Sequence, residues 1–163
     1  MLLVFISMVA LLNYVSEGLI GKYTGLNDWV VSVTDGKQQG FTFQFILGII
    51  LSPFMWLIGV PFDDMMLVGS LLGQKTILNE FVAYFQLQQW KDAGLFVYEK
   101  SIIMSTYILC GFANISSIGI LLGGLGVLTP NKQNLISKLG IPTMIGGALV
   151  SIMSATMVGM ILG

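Results

Sequence analysis

Histidine is missing from all 163 residues. That removes the commonest general base and the commonest zinc ligand. Cys110 is the only cysteine, so the chain holds no internal disulfide framework and no Cys–His nucleophile pair. Charge is scarce: 9% of residues are Asp, Glu, Lys or Arg, against about 25% in average globular proteins, and a soluble domain is not expected. The net charge of −1 leaves no basic stripe to attract nucleic acid. A basic n-region and a small-x-small cleavage site are both lacking from MLLVFISMVALLNYVSEG, so the first segment is expected to be a retained membrane helix rather than a leader.

What the chain does have is apolar bulk. Hydrophobic residues make up 55% and mean hydropathy is +0.88, which points to an all-α, polytopic membrane protein. Residues 1–20 are long enough to span, although they include Asn13 and Glu17. A polar connector with turn signals such as TDGKQQG fills 21–40. The uncharged stretch 41–62 contains Gly48 and Pro53, and its residues leave open a span or a bent, surface-lying helix. The few lysines sit beside acids, so the positive-inside rule assigns no orientation.

Two later segments look interrupted. In 63–87, apolar runs at 65–73 and 81–87 are each too short to cross a core of about 30 Å, and GQKTILNE lies between them. The pattern predicts two half-helices meeting at a polar tip, which survives at membrane depth only inside protein or beside a wet cavity. Asp63 and Asp64 are placed to cap the first half-helix. In 101–129, the polar centre GFANISSIG predicts a second discontinuous helix. The last span is expected at 140–162.

Glu80 is the residue that most needs a reason, because a mid-membrane carboxylate costs about 2.5–3.5 kcal/mol on insertion scales. It either pairs with Lys75, snorkels to an interface, or accepts hydrogen bonds from a ligand in a solvated cavity beside Asn79. Asn114, Ser116 and Ser117 either bond helix to helix or join such a cavity. Converging half-helix ends are the best sequence pointer to a transport site. One carboxylate, two amides and two hydroxyls suit a neutral, hydroxyl-rich ligand. The blander features read as packing: GxxxG at Gly69/Gly73, Gly119/Gly123 and Gly159/Gly163, and Cys110 as a buried small hydrophobe. GGLG at 123–126 lacks the Lys-Ser/Thr of a P-loop, and neither a metal set nor a catalytic pair is identified.

GVPFDDMMLVGSLLGQKTILNEFVAY followed by ILCGFANISSIGILLGGLGVLTP resembles the C-terminal half of the concentrative nucleoside transporters, the NupC-type nucleoside permease family. The resemblance implies one inverted-repeat half of such a transporter: a scaffold helix at 1–21, an interfacial helix at 41–62, a re-entrant hairpin at 63–87, a broken transmembrane helix at 101–129 and a final helix at 140–162. It also implies a multi-pass plasma (inner) membrane protein assembling as a homotrimer, with no enzyme activity. By the same resemblance the substrate is a nucleoside. Its ribose is addressed by Glu80, Asn114 and Ser117, and its base lies by Phe112; Asn79, beside Glu80, is counted among the substrate-binding residues. Transport is expected to be symport with Na⁺ or H⁺ and to need no other cofactor. The family's first repeat is absent from these residues, and the coupling-ion site is expected there. The alternative is a non-transporting membrane subunit of the gate or nucleoside-recognition type, whose polar centres only fasten helices together.

Overall fold

A computed structural model describes residues 2–34, 36 and 40–163. Most of the TDGKQQG turn lies outside the described residues. Among those described, all regular structure is helical. The chain begins with α1 (Leu2–Asn13), which runs without a break into a π-helical stretch, Tyr14–Gly21. Short helices α2 (Lys22–Thr24) and α3 (Leu26–Val33) come next, so the expected polar connector is largely helical. Leu26, Trp29, Val30 and Val33 are spaced three and four apart, which is a helical period.

Two asparagines fasten this region to the start of the next helix. Asn13 Oδ1 accepts from the Phe43 amide at 2.9 Å, and Asn27 Oδ1 accepts from the Phe41 amide at 2.9 Å. Helix α4 (Phe43–Leu57) then starts on Thr42, whose hydroxyl accepts from the Phe45 amide. Pro53 is accommodated inside it. Gly59, at φ +98°, turns the chain, a conformation that costs glycine least.

Helices α5 (Met65–Ile77) and α6 (Glu80–Asp92) follow one another across two residues and pack together, and α7 (Glu99–Leu109) and α8 (Ile115–Leu128) are separated by residues 110–114. The 29-residue α9 (Gln133–Ile161) closes the chain, with Pro142 inside it. α4 and α5 pack closely because Gly48, Gly69 and Gly73 carry no side chain. A Cβ on Gly69 would lie 3.0 Å from the Gly48 carbonyl oxygen, and one on Gly73 would lie 2.6 Å from Leu47 Cβ. Of the three GxxxG pairs, this one closes a helix contact at both positions. Gly119 and Gly123 meet nothing within 4 Å.

The core joins Met55, Val60, Val68, Leu72, Met104, Ile108 and Ala155. A second cluster, Leu71, Ala83, Leu87 and Leu109, lies under α6.

Asp64 departs from its expected part. It is fully buried at the start of α5 but makes no side-chain cap there. Its two carboxylate oxygens instead accept from the amides of Val97 and Tyr98 in the link from α6 to α7, each at 3.0 Å, which gives the buried carboxylate its partners. Cys110 also departs: it is exposed, at the first residue past the end of α7.

Candidate functional site

Four helix ends converge at the polar centre: the C-termini of α5 and α7 and the N-termini of α6 and α8. The break in the hairpin is only Leu78–Asn79, and GQKT belongs to the last turns of α5. The break in the second segment is Cys110–Asn114, and ISSIG opens α8. Both new helices start on an asparagine in extended conformation. Asn79 Oδ1 accepts from the Val82 amide at 2.9 Å. Asn114 Oδ1 accepts from the Ser117 amide at 2.7 Å, completed by a reciprocal contact from the Asn114 amide to Ser117 Oγ at 3.4 Å. Asparagine is among the best N-caps, because its short side chain reaches the otherwise orphaned amides of the first turn.

Three cross-links tie the two breaks together. Asn114 Nδ2 donates to Glu80 Oε2 at 2.7 Å. Ser116 Oγ donates to the Leu78 carbonyl at 3.0 Å, with Asn114 Oδ1 also within reach at 2.8 Å. Lys75 Nζ donates to the Ile108 carbonyl at 2.7 Å and lies 3.4 Å from Ser151 Oγ of α9. Lys75 therefore does not form the ion pair with Glu80 that the sequence leaves open. Glu80 sits at the first position of α6, where the helix dipole favours a carboxylate. It is half-buried, and its Oε1 has no hydrogen-bond partner among the described residues.

The five residues singled out in the sequence thus fall into two groups. Glu80 and Asn114 are bonded to one another at the polar centre, and Asn79 caps α6 beside Glu80. Asn114 is fully buried and Asn79 nearly so. Phe112, which is 58% exposed, and Ser117 instead line a cavity of about 560 Å³ between α8 and α9, shared with Leu121, Thr143, Gly147 and Ser151. Ser117 belongs to both groups, because its hydroxyl also donates to the Asn114 carbonyl at 2.7 Å. Ser116 makes one of the helix-to-helix bonds the sequence leaves open, while Ser151 carries a contact at the centre that the sequence does not single out. Among the described residues no cluster of His, Cys, Asp and Glu is arranged to hold a metal.

The family described as Na⁺ dependent nucleoside transporter C-terminus matches residues 1–159. The chain is similar to nucleoside permease NupC of Helicobacter pylori, with 36% identity over 100% of this chain and 36% of that protein. Sodium/nucleoside cotransporter 1 of Rattus norvegicus is 37% identical over 96% of this chain and 24% of its own length. A solved structure of CNTnw in an inward-facing substrate-bound state superposes with a TM-score of 0.79 at 35% identity, covering 99% of this chain and 36% of that one. The chain spans about a third, or less, of the length of these proteins.

Proposed function

The chain belongs to the Na⁺ dependent nucleoside transporter C-terminus family, and on that premise we propose that it supplies the ribose-binding part of a cation-coupled nucleoside symporter. The observation that carries the reading is Glu80. Its Oε2 is held by Asn114 at 2.7 Å while Oε1 has no partner among the described residues. A carboxylate oriented on one oxygen and open on the other is prepared to accept from a sugar hydroxyl, and such a charge-assisted bond is about twice as strong as a neutral one. Asn114 fixes the carboxylate's direction, and Asn79 and Asn114 fix the helix ends that carry it. Phe112, exposed at the same break, offers an aromatic face to a planar base. A site built for hydroxyls discriminates against sugars lacking them, because its own polar groups are then left unpaired.

Helix length suggests how the elements sit in a bilayer. At 1.5 Å per residue, the 13-residue helices α5 and α6 reach about 20 Å, short of a core of about 30 Å. That length suits a re-entrant hairpin at 63–87 meeting a broken helix at 101–129. Residues 1–21 then act as scaffold, 41–62 as interfacial helix and 140–162 as the final helix. A multi-pass plasma-membrane location, a homotrimer and Na⁺ or H⁺ as coupling ion complete the proposal.

A second reading, a non-transporting subunit whose polar centre only fastens helices, is favoured by one observation. Asn114 is fully buried and spends both ends of its amide on the protein. One experiment separates the two. In a full-length transporter carrying this segment, Glu80→Gln is expected to bring uridine uptake to background with membrane insertion unchanged. Uptake that survives the substitution removes Glu80 from the site and leaves the fastening role.

A further inference from the structure

The ribose reading makes no use of Lys75. This is a fully buried ammonium on the last turns of α5; Glu80 acts on it only through space, and among the described residues no carboxylate is in hydrogen-bond contact with it. What it meets is the end of an interrupted helix. Its Nζ lies 2.7 Å from the carbonyl of Ile108, in the last turn of α7, and 3.4 Å from the hydroxyl of Ser151 on α9. The chain leaves α7 through Gly111, where a Cβ would collide with Ser151 Oγ and stand 3.4 Å from Lys75 Nζ. The absence of a side chain at Gly111 is therefore what lets hydroxyl and ammonium close on this helix end.

The last carbonyls of a helix have no intrahelical partners and carry the negative end of its dipole. In transporters, the C-terminal ends of half-helices and the unwound carbonyls beside them are where monovalent cations are coordinated. A lysine ammonium is a compact, tetrahedral point charge with three donors. It can stand where such a cation would, among a carbonyl and a hydroxyl.

We propose that Lys75 is a tethered monovalent cation: its ammonium permanently occupies a cation position at the C-terminus of the broken helix α7. The site is thereby closed to free ions, and the tip of α5 is tied to α7 and α9 without any bound salt. Lys75 is on this view a positioning residue, holding the helix ends on which Glu80 and Asn114 are mounted. Shortening the side chain reopens the position.

The proposal does not depend on what the site transports, and its test uses no nucleoside. Thermal unfolding of the full chain in detergent is followed for wild type, Lys75→Ala and Lys75→Met at constant ionic strength, with choline, sodium or ethylammonium chloride. Wild type is expected to have the same Tm in all three salts. Lys75→Ala is expected to gain about 5 °C or more, saturably, in ethylammonium over choline, with a smaller gain in sodium. Lys75→Met fills the space with an uncharged chain and is expected to be indifferent to the salt. If Lys75→Ala unfolds alike in every salt, or aggregates in ethylammonium as it does in choline, the position does not bind cations and the proposal is overturned. A Tm for Lys75→Met that follows ethylammonium as Lys75→Ala does overturns it equally. Lys75→Ser, which leaves room with a polar end, repeats the comparison where alanine compromises folding.

Discussion

Glu80 and Asn114 act on one another, and the pair is best treated as a unit. Asn114 does two jobs with one side chain: Nδ2 orients Glu80 and Oδ1 caps α8. Asn114→Ala removes both, and is expected to cost about 1–2 kcal/mol for the cap together with a further loss at Glu80. A double-mutant cycle with Glu80→Gln, read by denaturant unfolding, is expected to return a coupling of about 0.5–3 kcal/mol. A coupling indistinguishable from zero means that the 2.7 Å contact carries no energy. These two residues are legible in the sequence because a carboxylate and an amide inside apolar segments have few acceptable explanations. Lys75 is not legible in the same way. The sequence offers Glu80, five residues away, as its partner. Five residues of helix rotate a side chain well away from its starting face, and α5 ends between them. The partner that answers the ammonium is 33 residues distant, and no local pattern carries that distance. Ser116 and Ser117 look alike in the sequence, yet one bridges to Leu78 and the other serves the cap of its own helix.

At the level of helices, capping falls on residues for which the sequence suggests other roles: Asp64 makes no side-chain cap, whereas Asn79 and Asn114, which read as cavity or helix-bonding groups, start α6 and α8 through a side chain well suited to that task. GQKT reads as a loop because it is polar and contains glycine, but it stays helical. Helical backbone bonds satisfy its amides, and Gln74 and Lys75 are buried inside the protein rather than at a wet tip. Identical motifs also part company once packed. Gly69 faces backbone on α4, at 3.0 Å from the Gly48 carbonyl and 3.1 Å from the Ser52 amide to an added Cβ. Gly123 faces open space. Gly69→Ala is therefore expected to destabilise by about 1–3 kcal/mol, because backbone must move. Gly123→Ala is expected to be neutral or to stabilise by up to about 1 kcal/mol through helix propensity. Unfolding of the two variants side by side checks this, and equal effects would show that GxxxG spacing alone, not the contact, sets the cost.

Across the whole molecule, composition settles the class: scarce charge and abundant apolar surface produce an all-helical protein with its greasy side chains outward. Tyr23, Val127 and Ile161 are more than 80% exposed. Among the described residues one stretch, Pro130–Ile161, is long and apolar enough to cross a membrane. In reconstituted vesicles, and with Cys110 replaced by serine, a cysteine at Leu149 is expected to resist a membrane-impermeant maleimide that labels one at Lys132. Equal labelling places α9 outside the bilayer. Hydropathy alone does not disclose the cavity of about 560 Å³ between α8 and α9, since its lining is drawn from two separate segments of the chain. A different long-range contact, the one made by Asp64, has a mechanical consequence. Its carboxylate clasps the amides of Val97 and Tyr98, so the chain between 64 and 98 is a closed circuit with its foot pinned. The start of α5 is thereby coupled to the start of α7 by two bonds at the end of α5 remote from the polar junction, where Lys75 makes a second link between the same two helices.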